Sequence, residues 1–232
     1  MRNNIPEIYT EGYDDIVKRA ITEDIGAYGD ITSEYIFEED NSSRGFIICK
    51  ETDGAVLCGI KLAEYIFKTI DPSVAFKMLK NDGDKIKNRE KVCAFQGKTL
   101  SVLKSERISL NFISHLSGIA TLTRKFADIA SRYGVKVTET RKTLPNLRLP
   151  EKYAVRCGGG FNHRFSLSDG VVIKDNHILA AGGVSEAIEK IRSRVPHTLK
   201  IEVEVKTKEE LRHAIKSKAD IIMLDNMNNE EL

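Results

Sequence analysis

The chain is poor in the features that mark several protein classes. Its four cysteines (Cys49, Cys58, Cys93 and Cys157) show no C-x-x-C spacing. That argues against a zinc site and gives the expectation of reduced thiols in a cytoplasmic protein. Only 5 of its 232 residues are proline, and with 30% charged and 41% hydrophobic residues the composition is neither disordered nor collagen-like. A chain of this length can bury a core without disulfide or metal staples. No apolar run approaches the ~18–20 residues of a membrane span, the longest being of the size of Ile178–Ala181 and Ile221–Leu224. The first residues, Met1-Arg2-Asn3-Asn4-Ile5-Pro6-Glu7, lack the apolar block of a secretory signal. A net charge of +2 gives no reason to expect nucleic acid as a partner, and nothing points to a membrane. There is no G-x-x-x-x-G-K-[ST] and no strand-embedded G-x-G-x-x-G, which removes the P-loop and Rossmann readings, and no Ser/His/Asp elbow motif is present. No internal repeat or low-complexity tract is present.

What is present divides into two unlike parts. Tyr13, Ile16, Val17, Ala20 and Ile21 share one helical face, and Ile60–Ile70 is a second amphipathic helix stopped by Asp71-Pro72. Ser43–Lys50, Val74–Leu79 and Lys91–Phe95 read as strands, the last two separated by the turn Asn81-Asp82-Gly83-Asp84. This irregular mixture predicts an α+β module. A long helical stretch runs from about Ser101 to Tyr133, with Gly118 as a candidate break and Gly134 as a C-terminal stop. Beyond it, strands at Val135–Glu139, Gly170–Lys174, Lys200–Lys206 and Asp220–Leu224 alternate with helices at Glu151–Cys157, Ser185–Arg194 and Lys208–Ser217. That rhythm predicts a parallel α/β sheet or barrel. The expected organisation is an N-terminal α+β sandwich domain over residues 1–110 and an α/β barrel domain over 111–232.

Parallel barrels carry their chemistry at the C-terminal ends of the strands. Each expected strand here runs into polar residues: Thr140-Arg141-Lys142-Thr143, Lys174-Asp175-Asn176-His177, Glu202 and Glu204 within the third strand, and Asp225-Asn226. Glu202 and Glu204 alternate with Ile201, Val203 and Val205, so both project from one face. Two readings stay open for them: an edge strand with a wet face, or carboxylates aimed at cations, ribose hydroxyls or a metal. Between Arg141 and Lys174, seven Arg and Lys residues face only Glu151 and Asp169, a local balance of +5 that suits a multiply anionic ligand. Gly158-Gly159-Gly160 lies within this span and can admit a close backbone approach. Cys157 reads as a packed small residue, not as a nucleophile.

At these residues the sequence resembles the quinolinate phosphoribosyltransferase family, also called carboxylating nicotinate-nucleotide pyrophosphorylase. The resemblance rests on an ordered series of blocks. They begin with Glu23-Asp24-Ile25-Gly26, Gly29-Asp30-Ile31-Thr32-Ser33, Ser105-Glu106-Arg107, Leu110-Asn111-Phe112 and Leu116-Ser117-Gly118-Ile119-Ala120-Thr121. They continue through Thr140-Arg141-Lys142-Thr143, Lys152-Tyr153-Ala154-Val155, Arg156-Cys157-Gly158-Gly159-Gly160 and Asn162-His163-Arg164. Ile173-Lys174-Asp175-Asn176-His177, Glu202-Val203-Glu204-Val205 and Met223-Leu224-Asp225-Asn226 complete the series.

The resemblance implies an N-terminal α/β sandwich and an incomplete α/β barrel, assembled as a homodimer. It implies that quinolinate and phosphoribosyl pyrophosphate give nicotinate mononucleotide, pyrophosphate and carbon dioxide in NAD biosynthesis, with magnesium and no organic cofactor. By resemblance Thr140, Arg141, Lys142, His163, Arg164 and Lys174 line the anion sites, and Arg107 is donated across the dimer interface or is otherwise an ordinary solvated helix arginine. Glu204 and Asp225 face the ribose hydroxyls and magnesium, directly or through substrate and water, and the expected catalytic residues are Lys142, Glu204 and Asp225. Two departures stand out. Glu139 takes the place of the family's usual aspartate before Thr-Arg-Lys, and Leu144 and Asn146 replace its usual threonine and glycine. Family members continue beyond the Asp225-Asn226 block, whereas this sequence stops at Leu232, so the expected barrel lacks its C-terminal strands and the ribose-phosphate loops stay unassigned. Two alternatives remain at this point: a molybdenum-transport-associated homologue of the same fold, and a truncated, non-catalytic anion-binding barrel.

Overall fold

The computed structural model describes residues 10–39, 41–228 and 230. The signal-peptide expectation at Met1–Glu7 therefore lies outside the described residues. The chain divides into two compact units, residues 1–163 and 164–232.

The first unit opens with α1 (Thr10–Ile25), α2 (Ile31–Ile36), β1 (Ser42–Ile48), β2 (Ala55–Val56) and α3 (Ile60–Ile70). It continues with β3 (Ala75–Met78), β4 (Lys85–Ile86), β5 (Lys91–Lys98), α4 (Thr99–Ala130), a 3-10 turn at Ser131–Tyr133 and α5 (Arg148–Cys157). β1, β5 and β3 form an antiparallel sheet in that order, and β2 pairs with β4. The expected helices at Tyr13–Ile21 and Ile60–Ile70 and the three expected strands are all present, with small shifts at their ends. Sequence periodicity missed α2, which is too short to show a face. Asp30 caps it: its Oδ1 accepts the Ser33 N–H at 3.0 Å, and bonding to the Ser33 side chain and then to its N–H holds the Asp30 carboxyl below the usual range.

α3 is buried on two faces. Ile60, Ala63 and Phe67 pack on the sheet with Ile47, Cys93 and Phe95, while Leu62 and Ile66 join Tyr13 and Val17 of α1 and Ile108 and Leu116 of α4. Its N-terminus is held from outside the helix. Asp82, in the turn after β3, accepts the Ile60 N–H at 2.9 Å and the Tyr153 hydroxyl at 3.0 Å, and burial pushes its carboxyl up. α4 likewise serves both cores, with Val102 and Ile113 on the sheet side and Ile108, Leu116 and Ala120 on the other.

The expected break at Gly118 does not occur: α4 runs unbroken for 32 residues. Glycine costs a helix interior only about 1 kcal/mol relative to alanine. The residues around it are tied down by tertiary bonds, with Ser117 Oγ accepting the Cys58 N–H and Thr121 Oγ1 the Val56 N–H, each at 2.9 Å. The helix also carries the chain through the expected domain boundary at 110/111. Gly134 does stop the segment, at φ 69°.

The expected strand at Val135–Glu139 is reduced to a single parallel bridge between Thr138 and Phe161. Phe161 N–H donates to the Val137 carbonyl at 2.8 Å, but the His163 N–H turns to the Glu139 carboxylate, so a side chain takes the place of the next ladder bond.

The second unit is built on three parallel strands in the order β6 (Val171–Ile173), β7 (Ile201–Val205), β8 (Ile221–Leu224). Helices α6 (Asp175–Ala181) and α7 (Val184–Arg192) link the first pair, and α8 (Lys208–Lys216) links the second. The expected strands and two of the helices are in place. α6 was not foreseen, because Lys174-Asp175-Asn176-His177 reads equally as a strand end. Ile173, Val203 and Val205 of the strands pack against Val184, Ile188 and Ala214 of the helices. β7 lies at the centre of the sheet, which removes the wet-edge alternative for Glu202 and Glu204. β8 lies at the edge, and its Ile221, Met223 and Leu224 are 40–43% exposed.

α5 packs on α4 with no room between them. A Cβ on Gly158 would lie 2.5 Å from the Ala120 carbonyl oxygen and 2.5 Å from Thr123 Cβ. Gly158→Ala should therefore destabilise the chain by about 1–3 kcal/mol through overpacking. Urea unfolding measures this, and an unchanged midpoint would count against the close approach of the two helices.

Candidate functional site

The polar residues singled out in the sequence fall in both units. In the first unit they gather around α5, which is buried from Pro150 to Val155 without interruption, Glu151 and Lys152 included. A charged group in that position must be paired. Lys152 is 0% exposed, and its Nζ donates to Glu139 Oε1 at 2.5 Å and to the His163 carbonyl at 3.1 Å. Glu139 accepts further bonds from Asn162 Nδ2 at 3.0 Å and from the His163 N–H at 3.2 Å. Both backbone groups of His163 are thus held by one ion pair.

Glu151 works from the neighbouring position. Its Oε1 meets His115 Nε2 of α4 at 2.9 Å, and its Oε2 accepts the Leu144 N–H at 3.2 Å. Arg148, at the start of α5, donates to Thr143 Oγ1 at 3.1 Å and to the Arg141 carbonyl at 3.4 Å. The loop between these anchors carries Thr140, Arg141 and Lys142. Thr140 Oγ1 accepts the Lys142 N–H at 3.0 Å, which turns the backbone sharply. Lys142 is exposed, and its ammonium has no partner among the described residues. Arg141 is half-buried, and its Nε is sealed from solvent without a hydrogen-bond partner. A buried donor left unsatisfied calls for a physical explanation, and an anionic ligand supplies one.

A groove of about 840 Å³ is lined in part by the downstream residues Pro145–Leu147 of the same loop. Arg19 and Glu23 of α1, Asn111 and His115 of α4, and Asn146 and Leu147 line it, and no expected site residue does. Arg107 lies on α4 at four- and eight-residue spacing from Asn111 and His115, on the same helix face. It is exposed, without a partner among the described residues.

In the second unit the strand ends hold the chemistry. Lys174 Nζ is bonded to Glu204 Oε1. The Lys174 N–H donates to His177 Nδ1 at 2.9 Å, closing the first turn of α6. Lys206, just after β7, pairs with Asp175 at 2.8 Å, and this pairing lowers the Asp175 carboxyl below the usual range. Glu204 pairs in register with Met223, two residues before Asp225, so the two carboxylates end adjacent parallel strands. Arg164 donates to the Gly170 carbonyl at 2.8 Å.

The +5 balance of Arg141–Lys174 overstates the free charge. Lys152, Arg148 and Arg156 are spent on internal bonds, Arg156 to the Gly160 carbonyl at 3.0 Å and over the Phe161 ring. Sequence reasoning counted Lys152 and Arg148 in the basic span and did not foresee the pairs Lys152–Glu139 and His115–Glu151. The available signal was the apolar run Tyr153-Ala154-Val155 beside Glu151-Lys152, which marks a helix too buried to leave charges solvated.

Three metal-ligating side chains do not come together anywhere among the described residues. Two carboxylates, Glu204 and Asp225, end adjacent strands, which is the number a protein usually supplies to a magnesium ion held mainly by phosphates and water. No described helix is long and apolar enough to cross a membrane.

Residues 30–117 match the family model described as quinolinate phosphoribosyl transferase, N-terminal domain, and residues 119–232 match that of its C-terminal domain. A protein of Bacillus subtilis named probable nicotinate-nucleotide pyrophosphorylase [carboxylating] is 44% identical over 204 residues, which are 88% of this chain and 69% of the relative. Quinolinate phosphoribosyltransferase [decarboxylating] 1b of Nicotiana tabacum is 44% identical over 221 residues, 91% of this chain and 62% of the relative. The chain thus spans roughly two thirds of the length of these relatives. The crystal structure of NadC from Streptococcus pyogenes superposes with a TM-score of 0.92 at 39% identity, covering 97% of this chain and 79% of that one. By both domain models and by these relatives, the chain belongs to the quinolinate phosphoribosyltransferase family.

Proposed function

We propose that this chain carries the site at which quinolinate receives a phosphoribosyl group from phosphoribosyl pyrophosphate and loses carbon dioxide, giving nicotinate mononucleotide and pyrophosphate in NAD biosynthesis. The observation that carries the reading is the Thr140-Arg141-Lys142 loop. It presents an ammonium with no partner among the described residues beside a guanidinium whose buried Nε likewise has none, a pattern that suits a dianion. The relatives' names favour quinolinate over the molybdenum-transport-associated alternative. The barrel reading is supported by β8, whose apolar residues remain exposed at a sheet edge where a further strand would cover them. Four free, buried thiols support a cytoplasmic setting.

The chemistry is mainly electrostatic. The pyridine nitrogen attacks the anomeric carbon of the ribose while the bond to the pyrophosphate oxygen breaks, and positive charge develops on the sugar. Glu204 or Asp225 stabilises that oxocarbenium-like centre, and Lys142 and Lys174 offset the charge of the departing pyrophosphate. Magnesium, when bound with the substrate, adds neutralising charge to the pyrophosphate. In the adduct the carboxylate next to the nitrogen leaves as carbon dioxide, its bonding pair stays on the ring carbon as an ylide stabilised by the adjacent quaternised nitrogen, and a proton then takes that pair. No covalent enzyme nucleophile is required.

Calorimetry with quinolinate, then a product assay with phosphoribosyl pyrophosphate, tests the reading. Binding without turnover would support an anion-binding barrel instead. Lys142→Ala, His163→Ala and Arg164→Ala should each weaken quinolinate binding by about 1.5–3 kcal/mol, the usual worth of a charge-assisted bond. Unchanged affinity in all three would remove them from the site. Glu204→Gln and Asp225→Asn should depress turnover more than quinolinate affinity, and normal turnover numbers for both would refute their role at the ribose.

Arg107 is read as serving the site of a second copy in a homodimer, supported by its exposed, unpaired place on α4. Inactive Arg107→Ala and Lys142→Ala chains, unfolded and refolded together, give about half mixed dimers by random assortment. If Arg107 acts across the interface, each mixed dimer regains one intact site of its two, and activity returns to about a quarter of wild type. No recovery would place Arg107 in its own chain's site.

A further inference from the structure

The residues expected to bind quinolinate are not held by the elements that carry them. Thr140, Arg141, Lys142 and His163 lie in irregular segments with a single backbone bridge, Thr138 to Phe161, between them. Besides short-range backbone bonds, such as Gly160 N–H to the Val155 carbonyl at 2.9 Å and Leu147 N–H to the Leu144 carbonyl at 3.2 Å, these segments are held by side chains, several of them from the first five residues of α5. Arg148 holds Thr143 and the Arg141 carbonyl. Glu151 holds Leu144, at the downstream end of the loop. Lys152 holds Glu139, at the upstream end, and the His163 carbonyl, while Glu139 holds the His163 N–H. Asn162 closes the arrangement by donating to the Lys152 carbonyl at 2.9 Å.

An ion pair whose ammonium is fully buried and whose carboxylate is largely so is a poor means of stabilising a fold, because desolvation cancels most of the attraction and an apolar pair of similar volume does as well or better. What an apolar pair cannot do is fix a peptide N–H and a peptide C=O in defined directions. The Lys152–Glu139 pair does both for His163 and ties the same backbone to the start of the Thr140–Thr143 loop. Glu151 then fixes the far end of that loop to α4 through His115.

We infer that Arg148, Glu151 and Lys152 of α5, with Glu139, form a clamp that pre-positions Arg141, Lys142 and His163 for a dicarboxylate ligand. Lys152, Glu139 and Glu151 are positioning residues here: none needs to touch the ligand. The inference rests on the functional reading above and deepens it, by assigning the pre-organisation of the anion site to a helix whose own charges are used up internally. Pre-organised charge binds better because the ligand does not have to order the loop.

The test compares wild type with the apolar double variant Glu139→Leu/Lys152→Met and with Arg148→Met, in binding of quinolinate and of phosphoribosyl pyrophosphate by calorimetry alongside thermal unfolding. The double variant should fold with a midpoint equal to or above that of wild type, bind quinolinate at least ~10-fold more weakly, and lose clearly less affinity for phosphoribosyl pyrophosphate, of whose proposed contacts the clamp holds Lys142 alone. Arg148→Met should weaken quinolinate binding about fivefold without moving the midpoint, and it decides the matter if the double variant fails to fold. Quinolinate affinity within about twofold of wild type in the folded variants, or equal losses for both ligands, would overturn the clamp. A wild-type chain that does not bind quinolinate would overturn the functional reading instead, and the clamp would fall with it.

Discussion

The constraint on which the first unit depends is the burial of α5. A helix enclosed from Pro150 to Val155 cannot leave a charge unpaired, since an isolated ammonium or carboxylate in such surroundings is strongly disfavoured. Glu151 and Lys152 therefore bring their partners with them: His115 from α4, Leu144 and Glu139 from the loop, His163 from the far side. The irregular backbone around the site is ordered because these bonds are obligatory. The same burial brings the tip of α5 against α4, where only glycine fits at Gly158.

The helices that surround α5 are positioned by a shared economy of apolar surface. α3 and α4 each present two apolar faces, one to the β1-β5-β3 sheet and one to α1 and α5, so neither core forms without both helices. Fully burying one Leu- or Phe-sized side chain is worth about 1.5–3 kcal/mol, and Phe67, Leu62, Ile66 and Leu116 are each at most 1% exposed. Polar groups at the junctions are satisfied locally, by Asp82 at the start of α3 and by Ser117 and Thr121 of α4 against the 56–58 segment.

The second unit follows the rule of parallel sheets, with apolar strands between helices and chemistry at the carboxyl ends. Lys174, Glu204 and Asp225 lie where successive strands stop, and Lys174 and Glu204 form an ion pair there. A cation and two carboxylates thus lie at one strand-end edge.

Much of this was legible in the sequence, and the reason is periodicity. Ile60–Ile70, Lys208–Lys216 and the three parallel strands repeat apolar residues at 3.6 or 2, and such patterns report burial directly. The ordered blocks likewise carried the family, and the residues at the strand ends were marked by their type. Short or irregular pieces gave no such signal. α2 has one buried residue, α6 none, and the segment around Thr138 keeps one bridge because a carboxylate side chain takes the next backbone donor. Composition also counted Lys152 and Lys142 alike as cations of one basic span. Only the tertiary structure separates them, burying Lys152 against Glu139 and leaving Lys142 in solvent, because pairing depends on which groups meet across 13 residues of chain and not on what the residues are.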